Sequence, residues 1–96
     1  MSPQDAHSII VNYLKDFRPE LIGVFGSFVR GDNTENSDID ILIRFRDTYS
    51  LLQLIRIENE LSELLGLKVD LVTEGSIKNE RIKKSIQNDL QIIFEA

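Results

Sequence analysis

Apolar residues recur at helical spacing at the start of the chain, over Ile9, Ile10, Tyr13, Leu14 and Phe17, and this face predicts an opening helix. Ser2 reads as its N-cap and Pro3 as its first helical position, while Arg18-Pro19 closes it. Leu21 to Phe25 is a short apolar run bounded by Pro19 and Gly26, which predicts a strand. Ser27 to Arg30 predicts a brief helical turn, and the polar stretch Gly31 to Ser37 an exposed loop. A second strand is expected over Asp38 to Phe45. Ser50 is placed to cap a long helix in which Leu51, Leu54, Ile55, Glu58, Leu61, Leu64 and Leu65 follow the helical period, with Gly66 at its end. Leu52 and Ile57 fall off that stripe, which predicts that part of this helix meets another subunit. Leu67 to Val72 reads as a third strand, Ile77 to about Asn88 as a basic amphipathic helix, and Leu90 to Phe94 as a last strand at the sheet edge. The expected order is α-β-α-β-α-β-α-β: an α/β fold with helices packed on one small sheet.

Ninety-six residues, 42% of them hydrophobic, suffice for one core and predict a single domain over residues 1–96. No apolar run approaches the ~18 residues that a spanning helix requires. The first ten residues show neither a basic leader nor a long apolar stretch, so neither a signal peptide nor a membrane partner is expected. The chain has no cysteine, which excludes disulfides, zinc-thiolate sites and thiol nucleophiles and fits a cytoplasmic location. Eleven basic residues against sixteen acidic ones leave a formal charge of −5. That balance argues against a grip on long nucleic acid. It still allows a nucleoside triphosphate, provided that a divalent cation stands between the two negative partners.

The second strand carries the chemistry. Asp is depleted in strands, yet Asp38 and Asp40 alternate with Ile39, Ile41 and Ile43. Strand side chains alternate faces, so the isoleucines can bury while the aspartates look into a cleft or solvent. Residues two apart are roughly 6.5–7 Å apart along a strand, and two carboxylates can lean together from there to share a metal. If Val69 and Leu71 face the core in the third strand, Asp70 emerges on the same side. Three carboxylates from two strands would make a hard oxygen site for Mg²⁺. Upstream, Gly26 lets the backbone approach a phosphate, and the Ser27 hydroxyl can donate to a phosphate oxygen. Two other nucleotide-binding patterns fail on residues: Asp32 stands where a P-loop needs Lys, and no G-x-G-x-x-G occurs.

The pattern Gly26-Ser27-x-x-Arg30-Gly31, the polar loop, Ser37-Asp38-Ile39-Asp40-Ile41-Leu42-Ile43 and then Val69-Asp70-Leu71-Val72 resembles the minimal nucleotidyltransferase (MNT) family of the DNA polymerase β-like superfamily. The match follows the element order over nearly the whole chain. The resemblance implies a palm-like fold with a small mixed sheet. It implies Asp38 and Asp40 as paired metal ligands, Asp70 as the third carboxylate, Gly26 and Ser27 on the triphosphate, and Arg30 bracing the turn or the phosphates. It further implies ATP as substrate, two Mg²⁺ ions and a HEPN-domain toxin as partner. Many members act as antitoxins, and some transfer AMP onto a tyrosine of that partner. One ion, held by all three aspartates, would activate the acceptor hydroxyl; the other, bridged by Asp38 and Asp40, would hold the triphosphate. Asp70 is the candidate to accept the hydroxyl proton.

Blander readings stand beside these. Taken alone, the D-x-D alternation is the wet face of an antiparallel sheet; joined to Gly26-Ser27 and Asp70 it reads as a site. Arg30 serves equally in a salt bridge to Asp32 or to an aspartate of the site. Lys78, Arg81 and Lys84 share one helical stripe, either a solvated basic face or a contact to triphosphate or acceptor. Arg44 and Arg46 divide the same way, mostly toward the surface; His7 reads as a surface residue, Tyr13 and Phe17 as core, and Tyr49 as a core anchor or a partner contact. Two functions compete: an enzyme that modifies a protein hydroxyl, and an antitoxin that neutralises by docking alone, in a homo- or hetero-oligomer. Transfer to a small molecule ranks third.

Overall fold

The computed structural model of the chain describes residues 2–31, 38–77 and 79–96. Residues 32–37 of the expected Gly31 to Ser37 loop, the Asp32 partner for Arg30, and Lys78 lie outside the described residues.

Helix α1 (Pro3–Leu14) starts as expected, with Asp5 N donating to Ser2 Oγ at 3.1 Å and Pro3 in the first turn. It ends earlier than expected, because Lys15–Phe17 tightens into a 3₁₀ turn that Arg18 closes with φ 57°. Strand β1 (Pro19–Phe25) begins at Pro19 itself, a position that tolerates proline because it opens the strand. The short helix α2 (Ser27–Arg30) and strand β2 (Ile39–Phe45) follow. Helix α3 (Leu51–Leu65) carries a full capping box, Ser50 with Gln53, and stops at Gly66 with φ 68°. Strand β3 (Val69–Thr73) leads to helix α4 (Glu80–Asp89), and strand β4 (Gln91–Glu95) ends the fold. Helix α4 starts three residues later than its pattern suggested, since the Asn79 side chain accepts from Arg81 N and sets the cap there.

The strands form one sheet in the order β3-β2-β1-β4. Strand β1 runs antiparallel to both β2 and β4, whereas β2 and β3 are parallel. The sheet is therefore mixed, with β4 at one edge. On one face Ile22, Val24, Ile39, Ile41, Ile43 and Val69 pack against Ala6, Ile10 and Leu14 of α1 and against Ile57, Leu61 and Leu65 of α3. On the other face Leu21, Phe25, Leu42 and Val72 meet Ile77, Ile82, Ile86 and Leu90, so α4 covers this side.

The stripe expected on α3 is rotated. Ile57 is 2% exposed, while Leu51 and Leu64 are 73% and 55% exposed. Ile57 is thus core, and its assignment to a subunit contact is corrected; Leu52 does stand in solvent. The reason lies in two polar residues. Ser62 Oγ accepts from Val69 N at 3.0 Å and Glu58 Oε2 from Leu71 N at 2.8 Å. These bonds cap the outward N–H groups of edge strand β3, and they fix which side of α3 faces the sheet. Elsewhere Tyr49 is a core anchor: its hydroxyl donates to Phe17 O at 2.8 Å and its ring packs edge-on against Phe45. His7, expected at the surface, is half-buried, which lowers its pKa.

Candidate active site

Strand pairing assembles the site. Asp40 is the in-register partner of Asp70 across the parallel β2–β3 pair and of Phe25 across the antiparallel β1–β2 pair. Neighbouring strands lie about 4.8 Å apart, so Asp40 and Asp70 emerge side by side. Val69 and the half-buried Leu71 pack on the α1/α3 side, which leaves Asp70 on the face of Asp40, as the alternation requires.

Because Phe25 pairs with Asp40, the next residue in the chain sits directly over that carboxylate. Gly26 is buried, with φ 83°, and a Cβ there would collide with Asp40 Oδ2. Both the backbone angle and the contact demand glycine. Helical bonding in α2 begins with Val29 N and Arg30 N donating to Gly26 O at 3.1 and 3.2 Å. The N–H groups of Ser27 and Phe28 precede these bonds and, with the half-buried Ser27, make the turn a set of anion donors.

A cleft of about 330 Å³ runs between α4 and the open end of the sheet. Gly26, Ser27, Arg30, Asp40 and Asp70 line it, together with Arg81 and Ser85 of α4. Asp38 lies outside the lining and 3.9 Å from Lys68 Nζ, yet its charge reaches Asp40. Burial pushes the Asp40 carboxyl up to about 6, helped by the negative charges of Asp70 and Asp38 and opposed by Arg30. Arg30 bonds to Asp89 at 2.6 Å, near the end of α4, and so ties the Gly-Ser turn to that helix. Among the described residues no three acidic or histidine side chains are already drawn together as a ligand set. The carboxylates are nonetheless hard oxygen donors on one face, and Asp38, Asp40 and Asp70 could hold a divalent cation.

Sequence reasoning missed Lys68, Asp89 and Ser85. Lys68 was readable, since it alternates with Asp70 on the same strand face. Asp89 and Ser85 were not, because only the docked position of α4 brings them to Arg30 and the cleft. The structure also divides the basic stripe: Arg81 lines the cleft, whereas the exposed Lys84 does not.

A mixed sheet that presents a Gly-Ser turn to in-register aspartates defines a domain built to handle phosphoryl groups. The family model for the nucleotidyltransferase domain matches residues 7–93, and the chain belongs to that family, in its minimal branch. It is a nucleotidyltransferase, and its substrate is a nucleotide. A Methanocaldococcus jannaschii protein that carries the provisional name protein adenylyltransferase is 53% identical over 77% of this chain and 76% of its own length. The protein adenylyltransferase MntA of Thermococcus cleftensis is 45% identical over 79% of this chain and 81% of its own. A chain of a solved toxin–antitoxin complex with AMP-PNP superposes with a TM-score of 0.81 at 26% identity, over 94% of this chain and 73% of that one. The fold also recurs, at 23% identity and a TM-score of 0.76, in the complex of the tri-AMPylated Shewanella oneidensis HEPN toxin with MNT antitoxin, over 97% of this chain and 72% of that one. Among the described residues no helix is long and apolar enough to cross a membrane.

Proposed function

We propose that this chain transfers AMP from ATP onto a hydroxyl, that of a tyrosine, on a HEPN-type toxin and so acts as its antitoxin. The observation that carries this reading is the in-register Asp40–Asp70 pair facing the Gly26-Ser27 turn in one cleft. The name of the Thermococcus relative and the AMP-PNP-bound toxin–antitoxin neighbour support the reaction and the partner.

Asp38, Asp40 and Asp70 would hold Mg²⁺, which supplies charge neutralisation at the phosphates and a lowered pKa for the acceptor hydroxyl. The surplus of negative charge at Asp40 is what such a cation offsets. The turn does the holding: Ser27 Oγ and the N–H groups beside it donate to phosphate oxygens. The acceptor oxygen attacks the α-phosphorus in line. Its bond to phosphorus forms as the bond to pyrophosphate breaks, and the hydroxyl proton passes to the Asp70 carboxylate. Asp70 is exposed, so a hydroxyl carried by another protein can reach it.

Mass spectrometry of the co-purified partner after incubation with ATP and Mg²⁺ tests the proposal. We expect an adduct of AMP mass, which the near-isosteric Asp38→Asn/Asp40→Asn variant forms on the order of 10³-fold more slowly. Unchanged modification by that variant would sink the assignment. A tight complex that never gains AMP would instead mark neutralisation by docking.

A further inference from the structure

Helix α4 presents one row of side chains at i, i+4 spacing to the cleft and the Gly-Ser turn: Arg81, Ser85 and Asp89. Asp89 binds Arg30 at 2.6 Å, and Ser85 Oγ lies 3.4 Å from the same Asp89 oxygen. The far end of the row is therefore anchored to α2, the helix that the turn opens. Arg81 stands two turns back along it, about 12 Å by helical rise, and it also lines the cleft.

The two arginines of the cleft differ. Arg30 is engaged with Asp89. Among the described residues the Arg81 guanidinium has no hydrogen-bond or ion-pair partner; only its backbone N–H is used, on Asn79. The acid beside it, Glu80, pairs with Lys83 at 3.9 Å. Arg81 therefore lines the cleft with its charge uncommitted, whereas that of Arg30 is held by Asp89.

The donors and acceptors of the cleft are also segregated. Ser27 comes from α2, Ser85 and Arg81 from α4, and the carboxylates from β2 and β3. An anionic chain lying between them would meet donors along one side and metal-held carboxylates on the other. From this we infer that Arg81 binds the β- and γ-phosphates of the incoming nucleotide, so that it selects a triphosphate and holds the pyrophosphate as it leaves. The inference rests on the nucleotidyl-transfer reading above and adds to it a specificity-determining residue. A guanidinium suits the role because it stays charged and can bind two phosphate oxygens at once.

Calorimetric titration of the full chain with ATP and with AMP, both with Mg²⁺, tests it. We expect Arg81→Ala to weaken ATP binding by about 10- to 100-fold, the effect of one charged hydrogen-bonding group. AMP binding should be unchanged, and Arg81→Lys should recover part of the loss. Arg81 is exposed at the start of α4, so the variants should unfold at the wild-type temperature. Equal losses for ATP and AMP would overturn the inference in favour of a contact to base or sugar. Undiminished ATP binding with slower modification of the partner would overturn it in favour of an acceptor contact. A wild-type chain that binds no ATP would overturn the nucleotidyl-transfer reading as well.

Discussion

Strand β2 serves two regions with opposite requirements, and alternate residues of the same seven-residue segment supply both. On one face Ile39, Ile41 and Ile43 are each 0% exposed, sealed under α1 and α3. On the other, Leu42 is buried under α4, while Asp40 stands at the open end in a cleft where burial and like charges push its carboxyl up to about 6. One face carries stability, and the other bears an electrostatic cost, as the proposed cation site would require. The sealed face is rigid enough to keep repelling groups together on the opposite one.

The largest effect is expected on the sealed face. Ile41→Ala should destabilise the fold by about 2–5 kcal/mol through lost burial and a residual cavity, read by chemical denaturation. A loss well below that range would mean that α1 and α3 close over the gap. Next comes the junction of the two regions. Gly26→Ala should cost about 1–3 kcal/mol for its positive-φ, extended-ψ backbone alone, and its new methyl displaces the Asp40 carboxylate. Transfer activity should therefore fall more steeply than stability. A variant with full activity would show that the turn shifts without harm.

The smallest effect has the opposite sign. In metal-free protein Asp40 holds its proton more tightly when folded than when unfolded, from 3.8 to about 6. Its ionisation therefore costs stability progressively as pH rises through that window. Asp40→Asn should remove the cost. Its thermal midpoint should exceed that of the wild type by a few degrees at pH 8 and match it below about pH 4. Equal midpoints at pH 8 would show that solvent screens the three carboxylates.

Much of this was legible because helical periods and short apolar runs had clear boundaries, which set the order of elements. The alternation in β2 and β3 placed Asp70 on the face of Asp40. The rotation of α3 was not legible for an equally physical reason. Its apolar residues extend nearly around the helix, so more than one face could pack. Glu58, a carboxylate on the expected stripe, and Ser62 decide between them by bonding to a strand edge. The partner of Arg30 was hidden in the same way, since Asp89 is fifty-nine residues away in sequence and only docking of α4 brings it near.

The parallel pairing of β2 with β3 has a consequence for how the chain folds. Parallel neighbours cannot be joined by a tight turn and need a long crossover, which here is α3. The Asp40–Asp70 register is thus a nonlocal contact, with the whole of α3 between its two partners in the chain. A chain that lacks this pairing carries both aspartates and does not bring them together. The candidate site is a property of the paired sheet, not of either strand alone.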